Sequence, residues 1–137
     1  MTRRDLRELA LIRLKEARVL LRNGNYDGAY YLSGYCIECA LKACIAKRTC
    51  RYEFPDKKTA DASHTHRLED LLRVAQLSEE HRKEVRTNVL FEAKWNVVKD
   101  WSEHSRYKKH SREDAENILD AISDKTHGVF KWIKQHW

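Results

Sequence analysis

YDGAYYLSGYCIECALKACIAK, residues 26–47, is the stretch that decides the fold. Small or apolar residues recur in it about every 3.6 positions, which predicts a long helix that its neighbours approach closely along one stripe. The stripe consists of Ala29, Leu32, Ser33, Cys36, Cys39, Ala40, Ala43 and Cys44. Tyr30, Tyr31, Tyr35, Ile37 and Leu41 widen it. Little of this helix is left to face water, so we expect it at the centre of the protein.

Two charged residues, Glu38 and Lys42, interrupt this apolar helix. Their i,i+4 spacing, with the acid before the base, lets the side chains meet on one face. A solvent-facing pair of this kind contributes only about a few tenths of a kcal/mol. The alternative is a half-buried polar pair that fixes the helix register or faces a cleft. The sequence leaves both interpretations open.

Length and composition predict a single helical domain over residues 1–137. The chain has one proline, four glycines and 35% charged residues, which leaves little turn chemistry for a many-stranded sheet. Sustained alternation of polar and apolar residues is absent as well. We therefore expect an all-α protein, an up-and-down four-helix bundle with one extra short helix before the last long helix.

Capping and turn residues mark the expected helices along the chain. Thr2 caps the first helix, which ends near Asn23 in the Asn23-Gly24-Asn25 turn and forms an antiparallel hairpin with the second. The second helix ends between Arg48 and Cys50. The later elements are, in order, a long loop over 51–63 containing Pro55, a helix capped by Thr65 or Ser63 that ends at about Leu77, a helix from Ser78 through Leu90, a short helix within an irregular connection over 91–107, and a last helix from Ser111 nearly to the C-terminus.

Four cysteines lie within fifteen residues, at positions 36, 39, 44 and 50. Cys36 and Cys39 form a C-x-x-C, a spacing that also occurs in zinc and redox sites. A zinc site needs a second ligand pair, and the nearest one is His64-Thr65-His66. We favour buried, reduced cysteines that act as small hydrophobic residues, and we expect no metal and no cofactor.

The net charge of +6 favours an anionic partner such as RNA, nucleotide phosphates or an acidic protein, although an ordinary solvated surface has the same composition. Residues 99–112 carry five Lys or Arg against two acids, with His104 and His110 in addition. The chain has no apolar run of membrane-spanning length and no apolar block of signal-peptide type near its start. We therefore expect a cytoplasmic protein that does not enter a membrane.

Several motifs, taken in order, resemble those of HEPN domains, which are small all-helical modules. The motifs are the Asn-Gly turn, the small-residue helix with Glu38-x-x-x-Lys42-Ala43, His66 followed by Leu71, and Arg106-Tyr107 near the last helix. The resemblance extends over nearly the whole chain and rests on order and spacing. From the residues alone, His64 and His66 are a cap and a packed residue before a helix.

The resemblance implies two kinds of function. Catalytic members carry an Arg and, after four to six intervening residues, a His, and two chains together cleave RNA without metal. The nearest pair here is Arg106 and His110, one residue short, which would turn His110 by about 100° on a helix but is absorbed in a loop. Arg106-Tyr107 matches non-catalytic members. It either contacts phosphate, or Tyr107 packs on the second helix while Arg106 bonds helix-end carbonyls.

The resemblance thus favours a non-catalytic or weakly catalytic homodimer that binds nucleotide or RNA phosphates. The candidate binding residues are Glu38, Lys42, Arg106, Tyr107, Lys108 and Lys109. It also implies a partner protein, commonly a nucleotidyltransferase in toxin–antitoxin or defence-related pairs. The alternatives are a metal-independent endoribonuclease that uses Arg106 and His110, and a structural adaptor. Phe130, Trp132 and Trp137 suggest an aromatic dimer interface on the last helix.

Overall fold

The computed structural model describes residues 1–49 and 56–137, and all regular elements in these two ranges are helical, as predicted. The elements are α1 (Arg3–Arg22), α2 (Tyr26–Arg48), α3 (Lys57–Ala62), α4 (Leu68–Val74), α5 (Ser78–Thr87), α6 (Val89–Val98), the 3-10 helix η1 (Glu103–Tyr107), α7 (Arg112–Ser123) and α8 (Val129–Lys134). Cys50 and Pro55 lie outside the described residues.

The start and the end of α1 agree with the sequence prediction. The Thr2 hydroxyl accepts the Asp5 N–H at 3.1 Å, and the Asp5 carboxylate accepts the Thr2 N–H at 2.8 Å. This reciprocal cap satisfies donors that have no partner inside the helix. Gly24 follows with φ of +76°, a conformation that glycine adopts without steric cost. The chain therefore reverses within three residues, and α1 packs along α2.

Helix α2 is the centre of the bundle. Twelve of its 23 residues are buried, and α1, α4, α7, α8 and η1 pack against it. Gly34 permits a further contact, with the Trp101 indole before η1, because a Cβ at this position would lie 2.2 Å from that ring. The Trp101 Nε1–H donates to the Tyr31 carbonyl at 3.1 Å. Trp101 thus fixes the chain just before η1 against the central helix.

The prediction of one continuous last helix is wrong. The helix ends at Ser123, and the Asp124 carboxylate accepts the N–H groups of Thr126 and His127 at 3.3 and 2.7 Å. The turn closes tightly at Gly128, where a Cβ would lie 2.3 Å from the Asp124 carbonyl oxygen. Asp and Gly favour turns for these two reasons, local hydrogen bonding and the absence of a Cβ. The chain therefore continues as a separate helix, α8.

The region between α2 and α7 is more helical than predicted. Within the expected loop over 51–63, Asp56 caps α3 by accepting the Thr59 N–H at 2.9 Å. The helix expected to run from Ser78 through Leu90 ends at Thr87, because the Asn88 side chain accepts the Phe91 N–H at 3.1 Å and caps α6. The short helix expected within 91–107 is in fact two elements, α6 and η1.

The aromatic residues expected on the last helix do not form an exposed surface. Phe130 is 3% and Trp132 is 6% exposed, and Trp137 is only partly exposed. The argument for an aromatic dimer interface there is wrong, because α5 and α6 cover the Trp132 ring, with His81 of α5 at 5.6 Å and Phe91 of α6 at 5.4 Å. Among the residues that the structure describes, no helix is both long and apolar enough to cross a membrane.

Candidate functional site

The basic segment, which we define as Arg106 to His110, lies at the end of η1 and in the loop before α7. The side chains of Arg106, Lys108 and Lys109 are exposed. None of the three forms an ion pair with any residue in the described ranges, whereas Arg4, Arg13, Arg73 and Arg112 all do. These three positively charged side chains are therefore available to bind an anionic ligand.

Arg106 and Tyr107 contact each other rather than α2. The Arg106 Cζ lies 4.9 Å from the centroid of the Tyr107 ring, and Tyr107 is 76% exposed. Packing of Tyr107 on the second helix, with Arg106 bonded to helix-end carbonyls, is therefore wrong. A guanidinium that lies over an aromatic ring is attracted to the ring face. The N–H groups at its edge remain available for hydrogen bonds.

His110 is held in place from three directions. Its ring stacks on Tyr30 at 3.8 Å between centroids and 9° between planes. Its backbone N–H donates to the Asp27 carboxylate at 2.5 Å, and its Nε2 lies 3.1 Å from the Ser105 carbonyl. Because a carbonyl only accepts, Nε2 carries the proton in this contact. Since His110 lies outside any helix, the one-residue shortfall from Arg106 does not rotate it about a helix axis.

A groove of about 340 Å³ separates the basic segment from the α1–α2 turn. Its lining residues are Gly24, Asn25, Tyr26, Asp27, Gly28, Lys109 and His110. The Asn25 side chain does not cap α2, so the first N–H groups of α2 point out without that partner. These donors and Lys109 favour an anion, whereas Asp27 is the acidic group in the lining.

Glu38 and Lys42 form the half-buried polar pair that the sequence had left as one of two alternatives. Glu38 is 2% exposed, and its Oε1 accepts the Lys42 Nζ at 2.9 Å. The same Oε1 lies 2.9 Å from Nδ1 of His66, and His66 Nε2 lies 3.2 Å from the Glu103 carboxylate. In the part of the chain that the structure describes, no hydrogen bond joins Glu38 or Lys42 to Arg106.

His66 and Glu103 are the members of this network that the sequence did not reveal. His66 was expected to be a packed residue before a helix, and Glu103 had no role. His66 meets both Glu38 and Glu103 only because α4, which follows His66, and η1, which contains Glu103, both pack against α2. No spacing rule joins residues so far apart in the chain, although the His66 motif itself was visible.

The three described cysteines are buried as predicted. Cys36 is 0%, Cys39 is 3% and Cys44 is 2% exposed. Burial raises the pKa of the Cys36 thiol, raises the pKa of Cys39 to about 12 and raises the pKa of Cys44 to about 11. These thiols stay protonated near neutral pH, and a protonated thiol is a poor nucleophile and a poor metal ligand. His66, the candidate second ligand, is bonded to Glu38 instead.

A family model described as HEPN domain matches residues 4–136. The match includes α2, the His66 network and the whole basic segment. The comparison with curated proteins and the comparison with solved structures found no match.

Proposed function

Because the chain belongs to the HEPN domain family, we propose that it is a binding module whose basic segment holds the phosphates of RNA or of a nucleotide. The observation that carries this proposal is the exposed stack of Arg106 on Tyr107, next to two further exposed lysines. An arginine held by its plane keeps its donors for the two oxygens of a phosphate. Lys108 and Lys109 add charge along the path of a polynucleotide backbone.

The geometry of His110 favours binding over cleavage. Its ring face lies on Tyr30 and its Nε2 on the Ser105 carbonyl, so the ring contacts the protein itself rather than a ligand. One feature favours the alternative, a metal-independent endoribonuclease. With the proton on Nε2, the Nδ1 of a neutral His110 is an unprotonated nitrogen, as a general base requires.

The proposal includes a two-fold homodimer, so that two basic segments act on one ligand. The proposal also includes a nucleotidyltransferase partner in a toxin–antitoxin or defence-related pair. This part rests on the family resemblance alone. A structural adaptor without nucleic-acid contact is the function that remains if no RNA or nucleotide binds.

The test is binding of a fluorescent single-stranded RNA oligonucleotide of mixed sequence, with ATP as a competitor, over a series of salt concentrations. Affinity is expected to fall steeply as salt rises, because neutralised phosphates release counterions. Arg106→Ala is expected to weaken binding by about 1–3 kcal/mol, the range for a charge-assisted contact. Its melting temperature should stay that of the wild type, since Arg106 is exposed.

Arg86→Ala is the matched control, because Arg86 is also an exposed arginine on a helix. It removes one positive charge from α5, which packs against α6, so its effect measures the loss of net charge. An equal loss of affinity in both variants would reject a specific role for Arg106. Absence of wild-type binding to RNA and to ATP at low salt would reject the proposed function.

A further inference from the structure

The Glu38 carboxylate is an unusual group for the centre of a helical bundle. Removal of a carboxylate from water costs several kcal/mol unless cations and hydrogen bonds compensate. Oε1 has two such partners, Lys42 Nζ and His66 Nδ1, each at 2.9 Å. Oε2 is buried and has no hydrogen-bond partner among the described residues. The whole compensation for this charge therefore comes from Lys42 and His66.

His66 lies between two carboxylates. Nδ1 faces Glu38 at 2.9 Å and Nε2 faces Glu103 at 3.2 Å. A carboxylate accepts hydrogen bonds and does not donate them, so both contacts are hydrogen bonds only when both ring nitrogens carry a proton. The His66 side chain is 40% exposed, so it exchanges protons with solvent. Loss of one proton must break one of the two bonds.

The exposed bond, to Glu103, is the one that a neutral His66 gives up. Glu38 is 2% exposed and depends on its His66 contact, whereas the Glu103 side chain is 39% exposed and gains water when it leaves. A neutral ring with its proton on Nδ1 keeps the bond to Glu38 and turns an unprotonated Nε2 toward Glu103. Two acceptors then face each other, and the carboxylate is released.

A released Glu103 has a cation within reach. Glu103 and Arg106 are three residues apart in η1, and side chains at i and i+3 of a 3-10 helix lie directly above one another. Arg106 is exposed and has no ion-pair partner in the described ranges. A Glu103 freed from His66 is therefore a neighbour of Arg106 on one face of η1, where it competes with a phosphate for the guanidinium.

We propose that Glu38, His66 and Glu103 form a proton-dependent clasp, in which protonated His66 keeps Glu103 away from Arg106 and neutral His66 releases Glu103 to pair with Arg106. The phosphate site is then open at lower pH and self-occupied at higher pH. The other charged groups at the clasp are Lys42, bonded to Glu38, and His104, whose Nε2 lies 3.9 Å from Glu103. The effect on RNA rests on the proposed function, whereas the clasp itself does not.

RNA affinity of four proteins between pH 5.5 and 8.5 tests the clasp: wild type, Glu103→Gln, His66→Ala and the double variant. Wild-type affinity is expected to fall as pH rises by about twofold to fivefold more than that of Glu103→Gln, the worth of one exposed ion pair. His66→Ala should bind weakly at every pH, because an alanine has no donor that could hold Glu103. The double variant should regain the affinity of Glu103→Gln.

Glu103→Gln also serves as the control for His104 and His110, because both residues are unchanged in that variant. Recovery in the double variant separates the clasp from a general structural role of His66, because a misfolded site would not be rescued by a second substitution. Equal pH profiles for wild type and Glu103→Gln, or no recovery in the double variant, would overturn the clasp.

A measurement without RNA separates failure of the clasp from failure of the proposed function. The Arg106 Nε–H resonance in the free protein is expected to shift with pH in the wild type. It should shift less in Glu103→Gln, and in His66→Ala it should stay near the high-pH wild-type position. This pattern would support the clasp even if no RNA binds. A wild-type resonance that follows Glu103→Gln at every pH would reject it.

Discussion

The thiol of Cys39 links a single buried residue to the alkaline stability of the whole protein. Burial raises its pKa from 9.0 to about 12. Above pH 9 the unfolded chain loses this proton while the folded chain keeps it, so the stabilising contribution is complete below pH 9 and declines as pH rises toward 12. We expect the urea midpoint to fall progressively between pH 9 and pH 11, measured by circular dichroism.

Substitution identifies the source of this alkaline loss. Cys39→Ala removes one titrating thiol, so its midpoint should decline less steeply with pH than that of the wild type. Cys44, whose pKa burial raises to about 11, and the partly buried Tyr30 and Tyr35, whose pKa values burial also raises, contribute with the same sign. An identical slope in Cys39→Ala and wild type would show that the Cys39 thiol does not control the effect.

His110→Ala separates the binding module from the endoribonuclease. Loss of the stack on Tyr30 should lower the free energy of unfolding by about 0.5–1.5 kcal/mol, the range for an aromatic pair. As a binding module, the variant should keep nearly unchanged RNA affinity, and neither protein should cut RNA. Gel analysis of RNA incubated with chelator checks this. Wild-type cleavage that disappears in His110→Ala while binding persists would establish the alternative.

Two glycines on α2 give a matched pair for the packing of the central helix. A Cβ at Gly34 would lie 2.2 Å from the rigid Trp101 indole, whereas a Cβ at Gly28 would lie 3.1 Å from the flexible Leu20 methyl. Gly34→Ala is therefore expected to lose about 1–3 kcal/mol of stability by overpacking. Gly28→Ala should change it by less than about 1 kcal/mol, because helix propensity offsets the contact. Thermal denaturation compares the two.

The position of Trp101 gives a second measurement on the same pair. If Gly34 exists to admit the indole, Gly34→Ala should shift the tryptophan emission and weaken the hold on η1, and RNA affinity should fall with it. Gly28→Ala should do neither. A stable Gly34→Ala protein with wild-type affinity would mean that η1 does not depend on this contact.

Helices whose residues carry strong capping, turn or burial signals were predictable from the sequence. The break between α7 and α8 was not. The cap at Thr2, the Gly24 turn and the buried α2 follow from short-range chemistry and were confirmed. The last helix was predicted as continuous because its apolar spacing persists through the break. The side-chain bonds of Asp124 and the close approach at Gly128 outweighed that periodicity. Local hydrogen bonds at a turn can thus end a helix that hydrophobic spacing alone would continue.

The candidate site divides in the same way. Arg106, Tyr107 and their neighbours were identified because they are consecutive, and the chain itself holds them together. The contacts of His66 with Glu38 and Glu103 arise only when the chain before α4 and the helix η1 both pack against α2, which carries Glu38. Such a cluster has no period and no fixed spacing, so it becomes visible only in the folded structure.

An exposed apolar surface on α1 replaces the aromatic residues of α8 as the basis for the predicted dimer. Leu11, Ile12 and Val19 are 51%, 48% and 40% exposed. A groove of about 520 Å³ adjoins them, lined by Ile12, Lys15, Glu16, Val19, Leu20 and Leu32. If a second copy of α1 lies antiparallel across this surface, Ile12 meets Val19 of that copy and Lys15 meets Glu16. The surface is complementary to itself, as a two-fold interface requires.

A dimer through α1 predicts that Ile12→Lys dissociates it. Sedimentation at micromolar concentration should give twice the 16.3 kDa chain mass for the wild type and 16.3 kDa for the variant, because a lysine at Ile12 would face an apolar partner across the axis. Val97→Lys, at a 42% exposed valine on α6, should remain a dimer. If dimerisation brings two basic segments to one ligand, Ile12→Lys should also weaken binding of a long RNA more than binding of ATP. A wild type that sediments as a monomer would leave each basic segment to act alone and would remove the basis for any site shared between two chains.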